Sequence, residues 1–157
     1  MGRWEVLMGI AYSRFVIGGL ESNMLSAGPM SATTTQMSPA DSLQTRFIDF
    51  GARITGLIQK LPRSPAGTHY ARQMLRSGTA AAPNYAEARS AESRADFIHK
   101  MRIVLKELNE TAVWLRMAVR SGLASTDLTT EIQTEAEELC RIVAASIRTA
   151  KSSLHPE

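Results

Sequence analysis

The chain predicts an all-α fold, an antiparallel up-down-up-down four-helix bundle. Three observations carry that expectation. From Asp41 onward, apolar residues recur at alternating steps of three and four in four long stretches, the period of one buried helix face. Short breaks containing Pro, Gly and Ser separate the stretches. The stretches themselves are rich in Ala, Leu, Arg and Glu, which favour helix. Helices of about 20 residues are roughly 30 Å long, and short connections between them favour antiparallel neighbours.

Residues 1–40 read differently from the rest. Trp4 to Leu20 is moderately apolar, but Arg14 and the Gly18-Gly19 pair break any steady period. As a signal peptide it is poor, because Glu5 and Arg14 flank only a short apolar core. Ser26 to Ala40 is a polar, small-residue segment of linker type. The expectation is a disordered tail or an upstream extension of the reading frame, with Met24, Met30 and Met37 as alternative starts. A weak N-terminal anchor is the minority alternative. The bundle domain then spans 41–157.

Helix one is expected from about Asp41 to Leu61, capped by Asp41 or Ser42. Leu43, Phe47, Phe50, Ile54, Leu57 and Leu61 form its stripe. Pro62 ends it, since proline has no N–H to donate and disfavours helix at the preceding residue. Helix two starts near Ala66, passes through Ala71, Met74, Leu75 and Gly78, and continues to about Arg89. Its small-residue run from Gly78 to Ala82 marks a close crossing, and Pro83 inside the pattern predicts a bend there. Helix three opens on a Ser93/Asp96 capping pair. Phe97, Met101, Val104, Leu108, Thr111, Leu115 and Ala118 hold its spacing, and Gly122 sits where a left-handed stop is favoured. Helix four begins near Ser125 or Thr126, with Leu128, Ile132, Ala136, Leu139, Val143, Ile147, Ala150 and Leu154 as its seam. Its glutamates lie towards the start and its Arg and Lys towards the end, which complements the helix dipole.

Composition narrows the function classes. The 157 residues suffice for one domain with a core. Lys and Arg outnumber Asp and Glu by 18 to 15, a formal charge of +3. The charges are mixed along the chain, which permits a nucleic-acid partner without demanding one. The single cysteine, Cys140, excludes an internal disulfide and suits a reducing, cytoplasmic setting. No apolar run approaches the about 20 residues that span a bilayer.

Two groups of residues are candidate sites. Arg76, Asn84, Glu87, Glu107 and Glu110 sit among small or apolar neighbours. They read as a polar seam between helices two and three, with Arg76 bridging carboxylates through its planar fork. Such a seam sets register or joins subunits without doing chemistry. The alternative, a carboxylate metal site, needs two Glu-x-x-His motifs. The chain has one near miss, Asp96-x-x-His99, while His69 and His155 stand without such a companion. No metal, cofactor or catalytic residue is expected, and Cys140 reads as a packed thiol. For nucleic acid the foremost candidates are Arg72, Arg76, Arg102 and Lys106, paired one turn apart on their helices, with Arg63, Arg89, Arg94 and Lys100 behind them. Ordinary solvated surface is the alternative reading of these cations. Trp114 and Tyr85 fall near seams and read as core rather than as base-stacking residues.

Gln73-Met74-Leu75-Arg76-Ser77-Gly78, Pro83-Asn84-Tyr85-Ala86-Glu87-Ala88, Ser93-x-x-Asp96-Phe97 and Lys106-Glu107-x-x-Glu110-Thr111-x-x-Trp114-Leu115 together carry a resemblance. Over about Ser42 to Ala150 the chain resembles the bacterial four-helix-bundle family named after proteins encoded within intervening sequences of 23S ribosomal RNA genes. The resemblance implies a small non-enzymatic bundle assembled as a homopentamer. It extends to the accessory variability proteins of diversity-generating retroelements, and so implies reverse transcriptase and RNA or DNA as partners. The resulting expectation is a non-catalytic, oligomeric accessory protein that binds nucleic acid or a nucleic-acid enzyme. The alternative is a protein-interaction scaffold without nucleic-acid binding.

Overall fold

The computed structural model describes residues 37–152, and among them the only regular elements are four helices. They are α1 (Pro39–Ile58), α2 (Pro65–Arg89), α3 (Arg94–Arg120) and α4 (Thr126–Ser152). The expectations for residues 1–36 and for Leu154 and His155 fall outside the described residues.

Each helix packs on its neighbours in the chain, and a thinner α1–α4 seam closes the bundle. The cross-helix pairs run in opposite order along α1 and α2, where Ala40 meets Tyr85 and Gly51 meets Gly78. They do so again along α2 and α3, where Arg76 meets Glu110 and Glu87 meets Lys100. On α1 and α4, Arg46 meets Glu135 and Arg53 meets Glu131, once more in opposite order. These crossings are compatible with the up-down-up-down order. The core is the set of stripes read from the sequence, with Leu43, Phe47, Phe50, Ile54, Met74, Tyr85, Phe97, Met101, Leu108, Leu115 and Leu139 fully buried. Phe47 and Tyr85 stack with ring centroids 4.9 Å apart, and the Tyr85 hydroxyl donates to the Ala40 carbonyl.

The ends follow from local chemistry. Ser38, not Asp41 or Ser42, caps α1: its Oγ accepts from the Asp41 N–H at 3.1 Å and lies 2.7 Å from the Asp41 carboxylate. Pro39 then occupies the first turn, where its missing N–H has no cost. That bond and the Arg89 guanidinium together hold the Asp41 carboxyl below the usual carboxylate range. Ser64 and Ser93 cap α2 and α3 by accepting from the N–H groups of Gly67 and Asp96. Gly122, at φ +70°, stops α3, with Leu123 N–H donating to Ala118 and Gly122 N–H to Val119.

α1 ends at Ile58, so Leu61 is buried from the connecting turn instead. α2 continues through Pro83, with Gln44 donating to the Ala82 carbonyl and Asn84 to that of Ala80. Leu75 and Leu128, expected on the seams, are exposed. Each lies about 100° round its helix from a residue that takes the inward position, Met74 and Thr129 respectively. Thr129 tolerates burial because its hydroxyl bonds to the carbonyls of Ser125 and Thr126.

Candidate functional site

The α2–α3 seam is polar at its middle, where Ser77 and Thr111 face each other. Gly78 lies directly against Ile54 of α1, which draws the next residue, Ser77, into the interior. Thr111 of α3 donates to Ser77 Oγ at 2.8 Å, and Ser77 donates to the Gln73 carbonyl of its own helix. The Glu107 carbonyl, also 2.8 Å from Thr111 Oγ1, is a second acceptor. One turn outward, Arg76 reaches two carboxylates of α3. It bonds to Glu110, and its Nη1 is 3.9 Å from Glu107 Oε2. Glu110 also accepts from Trp114 Nε1, and the Trp114 ring stands edge-on to His69 and Tyr70.

Glu107 is the unusual member. It is only 7% exposed, and its Oε2 has no hydrogen-bond partner. Two cations stand near its oxygens, Arg76 and Lys106, the latter 3.7 Å from Oε1. Burying a carboxylate is costly unless it is paired, so both cations offset that cost.

The structure brings Arg76, Glu107 and Glu110 together and places Glu87 and Asn84 elsewhere. Glu87 is bound by Lys100, which raises the lysine's pKa. Asn84 bonds back to the Ala80 carbonyl. Arg76 and Glu87 share a helix face but lie about 16 Å apart along it, so each meets a different residue of the antiparallel α3.

Arg72, Arg76, Arg102 and Lys106 are all exposed. With Arg76 level with Glu110 and Glu87 level with Lys100, Arg72 and Arg102 stand about 20 Å apart along the bundle. The four cations therefore stand at successive heights along α2 and α3. Among the described residues no three His, Cys, Asp or Glu converge to hold a metal ion. Cys140 is half-buried, with Sγ 3.7 Å from Asn109 Oδ1. Burial, helped by the Glu137 charge, pushes its thiol up to about 11. No described helix is long and apolar enough to cross a membrane.

A second polar seam was not anticipated. Arg46 of α1 reaches Glu135 at 2.9 Å and Glu138 at 3.0 Å, and Arg53 reaches Glu131 at 3.1 Å. The signal was present: Glu131, Glu135 and Glu138 recur at steps of four and three, opposite arginines spaced seven apart. Their sequence clustering had suggested only a dipole effect.

The sequence profile of 23S rRNA-intervening sequence proteins matches residues 43–145. The chain belongs to that family. A similar solved structure is a protein with unknown function from the S23 ribosomal protein family of Bacteroides thetaiotaomicron. It is 32% identical, with a TM-score of 0.65, and the match covers 69% of this chain and 97% of that one. No curated protein matches. The family match includes all of the Arg76, Glu107, Glu110 cluster and every cation singled out on α2 and α3.

Proposed function

We propose that this family member is a non-catalytic accessory protein, assembled from several copies, that binds RNA or DNA, or an enzyme such as a reverse transcriptase that acts on them. The observation that supports the reading is the group of cations exposed on neighbouring helices, Arg72 on α2 and Arg102 and Lys106 on α3. In a closed assembly these cations repeat around the ring and add to one field. The polar seam sets the register of α2 against α3, and with it the heights of the outer cations.

The test is binding of the full chain to labelled structured RNA and duplex DNA across a salt series, with mass measured by light scattering. Phosphate contacts give log K falling with log salt at a slope of about 0.9 per phosphate neutralised. The triple variant Arg72→Ala, Arg102→Ala, Lys106→Ala lowers both affinity and slope. Absence of binding at low salt by an assembled protein rejects nucleic acid as the ligand. A second reading, a protein-interaction scaffold, is supported by the exposed Ile48, Leu75, Val113 and Met117. It predicts the same mass with no salt-dependent nucleic-acid binding.

A further inference from the structure

Phe47, Phe50, Tyr85 and Phe97 lie inside the bundle, where apolar rings belong. Tyr70 and Trp114, the other described Phe, Tyr or Trp residues, are only half-buried, and the exposed His69 stands beside them. The three rings form one cluster on the α2–α3 seam. Between centroids, Trp114 lies 5.2 Å from Tyr70 and 5.6 Å from His69, and His69 lies 6.2 Å from Tyr70. Each pair is inclined at 73°, edge to face. The cluster is held in place. Trp114 Nε1 donates to Glu110, which Arg76 binds in turn. A ring fixed before a ligand arrives loses little freedom on binding.

The surroundings are cationic. From Pro65 to Arg76 and from Lys106 to Arg120, the acidic residues are Glu107 and Glu110, against Arg72, Arg76, Lys106, Arg116 and Arg120. Glu107 is buried, and Glu110 is held by Arg76 and Trp114. Arg76 is level with Glu110, and α2 and α3 are antiparallel. Trp114, one turn further along α3, is therefore level with Arg72, and Met117 with His69. Arg72 and Met117 are both exposed. The rings thus have an exposed apolar side chain at one level and two exposed arginines, one turn apart, beside them.

We propose that the His69, Tyr70 and Trp114 cluster is a stacking site for an unpaired base of RNA or DNA, with Arg72 and Arg76 on the adjoining phosphates. This rests on the nucleic-acid reading above and narrows it to single-stranded segments. A base within a duplex has its faces covered by its neighbours, whereas an unpaired base offers a flat face that aromatic side chains bind with little regard to sequence. Cations alone do not separate the two, since strand and duplex both present phosphates. Rings fixed beside arginines do.

The test uses the full chain carrying Trp4→Phe, which leaves Trp114 as its one tryptophan. Its fluorescence is followed during titration with oligouridine and oligothymidine of about 15 nucleotides, the upper range of single-strand site sizes. Affinities for these strands and for a duplex of equal length are measured by anisotropy of a labelled strand. Saturable quenching of Trp114 by the single strands is expected. His69→Ala should weaken single-strand binding about fivefold or more, with duplex binding and the far-UV circular dichroism unchanged. Trp114→Ala should weaken it at least as much, and Trp114→Phe, which keeps a ring, should retain most of the affinity. Trp114 also packs against the core, so His69→Ala decides the matter if Trp114→Ala loses its helical signal. Duplex binding with no quenching by the single strands overturns the stacking site alone. So does a His69→Ala protein that loses affinity for strand and duplex equally, or for neither. Binding to neither at low salt overturns the nucleic-acid reading and the site with it.

Discussion

Gly78→Ala tests the close crossing of α1 and α2. Replacing a mid-helix glycine by alanine ordinarily stabilises by about 1 kcal/mol. Here the new Cβ would lie 2.8 Å from Ile54 Cγ2, 2.9 Å from Cγ1 and 3.1 Å from Cβ. Carbon pairs prefer about 3.5–4.0 Å. Ile54 is fully buried and branched at Cβ, so rotating it exchanges one clash for another. The helices must separate, at an overpacking cost of about 2–3 kcal/mol. The net is a loss of about 1–2 kcal/mol, or roughly 3–8 °C in melting temperature at fixed protein concentration. Ile54→Ala alone should cost about 2–5 kcal/mol through the cavity it leaves. Because it removes both γ carbons, the double variant should lose at least about 1 kcal/mol less than the sum of the singles. Thermal and urea unfolding of the four proteins measure this. A Gly78→Ala protein as stable as wild type, or a strictly additive double variant, would refute the crossing geometry.

Further expectations are open to similar assays. Gly67→Ala would put a Cβ 2.0 Å from the Pro62 carbonyl oxygen, a backbone collision expected to cost about 3 kcal/mol, measured by urea unfolding. Glu110→Ala removes a part-exposed partner of Arg76 and the acceptor of Trp114; a loss of about 0.5–1 kcal/mol is expected, and an unchanged melting temperature would show that the pair contributes nothing. Ser38→Ala should destabilise by about 1 kcal/mol. Because the Asp41 pKa is lowered in the fold, the pair's contribution is present above the ordinary carboxylate pKa and is lost as pH falls through the folded value. The stability difference between wild type and Ser38→Ala should therefore shrink on acidification. Cys140, with its thiol raised to about 11, should react with a disulfide reagent at pH 8 about a hundredfold more slowly than free cysteine.

The fold was legible because its signal is periodic and long. Leu43 to Leu57, Phe97 to Ala118 and Ile132 to Ala150 each repeat the three–four step often enough to outweigh local noise. The departures are at single residues. Ser38 was missed as a cap because Pro39 and Ala40 read as linker, although proline is favoured in a first turn. Leu128 was preferred to Thr129 because hydropathy ignores the hydroxyl's bonds to preceding carbonyls. At the polar seam, residue types and faces were readable but partners were not. Arg76 and Glu87 share a face, yet which residue each meets depends on the vertical offset of α3, which no spacing within one helix reveals. The Arg46 and Glu135 pair has the same difficulty, lying 89 positions apart.

The thin α1–α4 seam also bears on how the chain folds. Contacts between consecutive helices join nearby residues, as with Glu87 and Lys100, 13 positions apart. Only the α1–α4 seam must close a long loop, with Arg46 and Arg53 reaching across 89 and 78 positions. A chain of mostly local contacts collapses quickly, on a microsecond-to-millisecond scale for helical bundles, and long-range closure comes late because its loop entropy must be overcome first. That last closure includes the Arg46 and Arg53 ion pairs, whose attraction salt screens. Salt should therefore slow it or speed its reversal while leaving the α2–α3 hairpin nearly untouched, so ionic strength becomes a handle on the final step of folding.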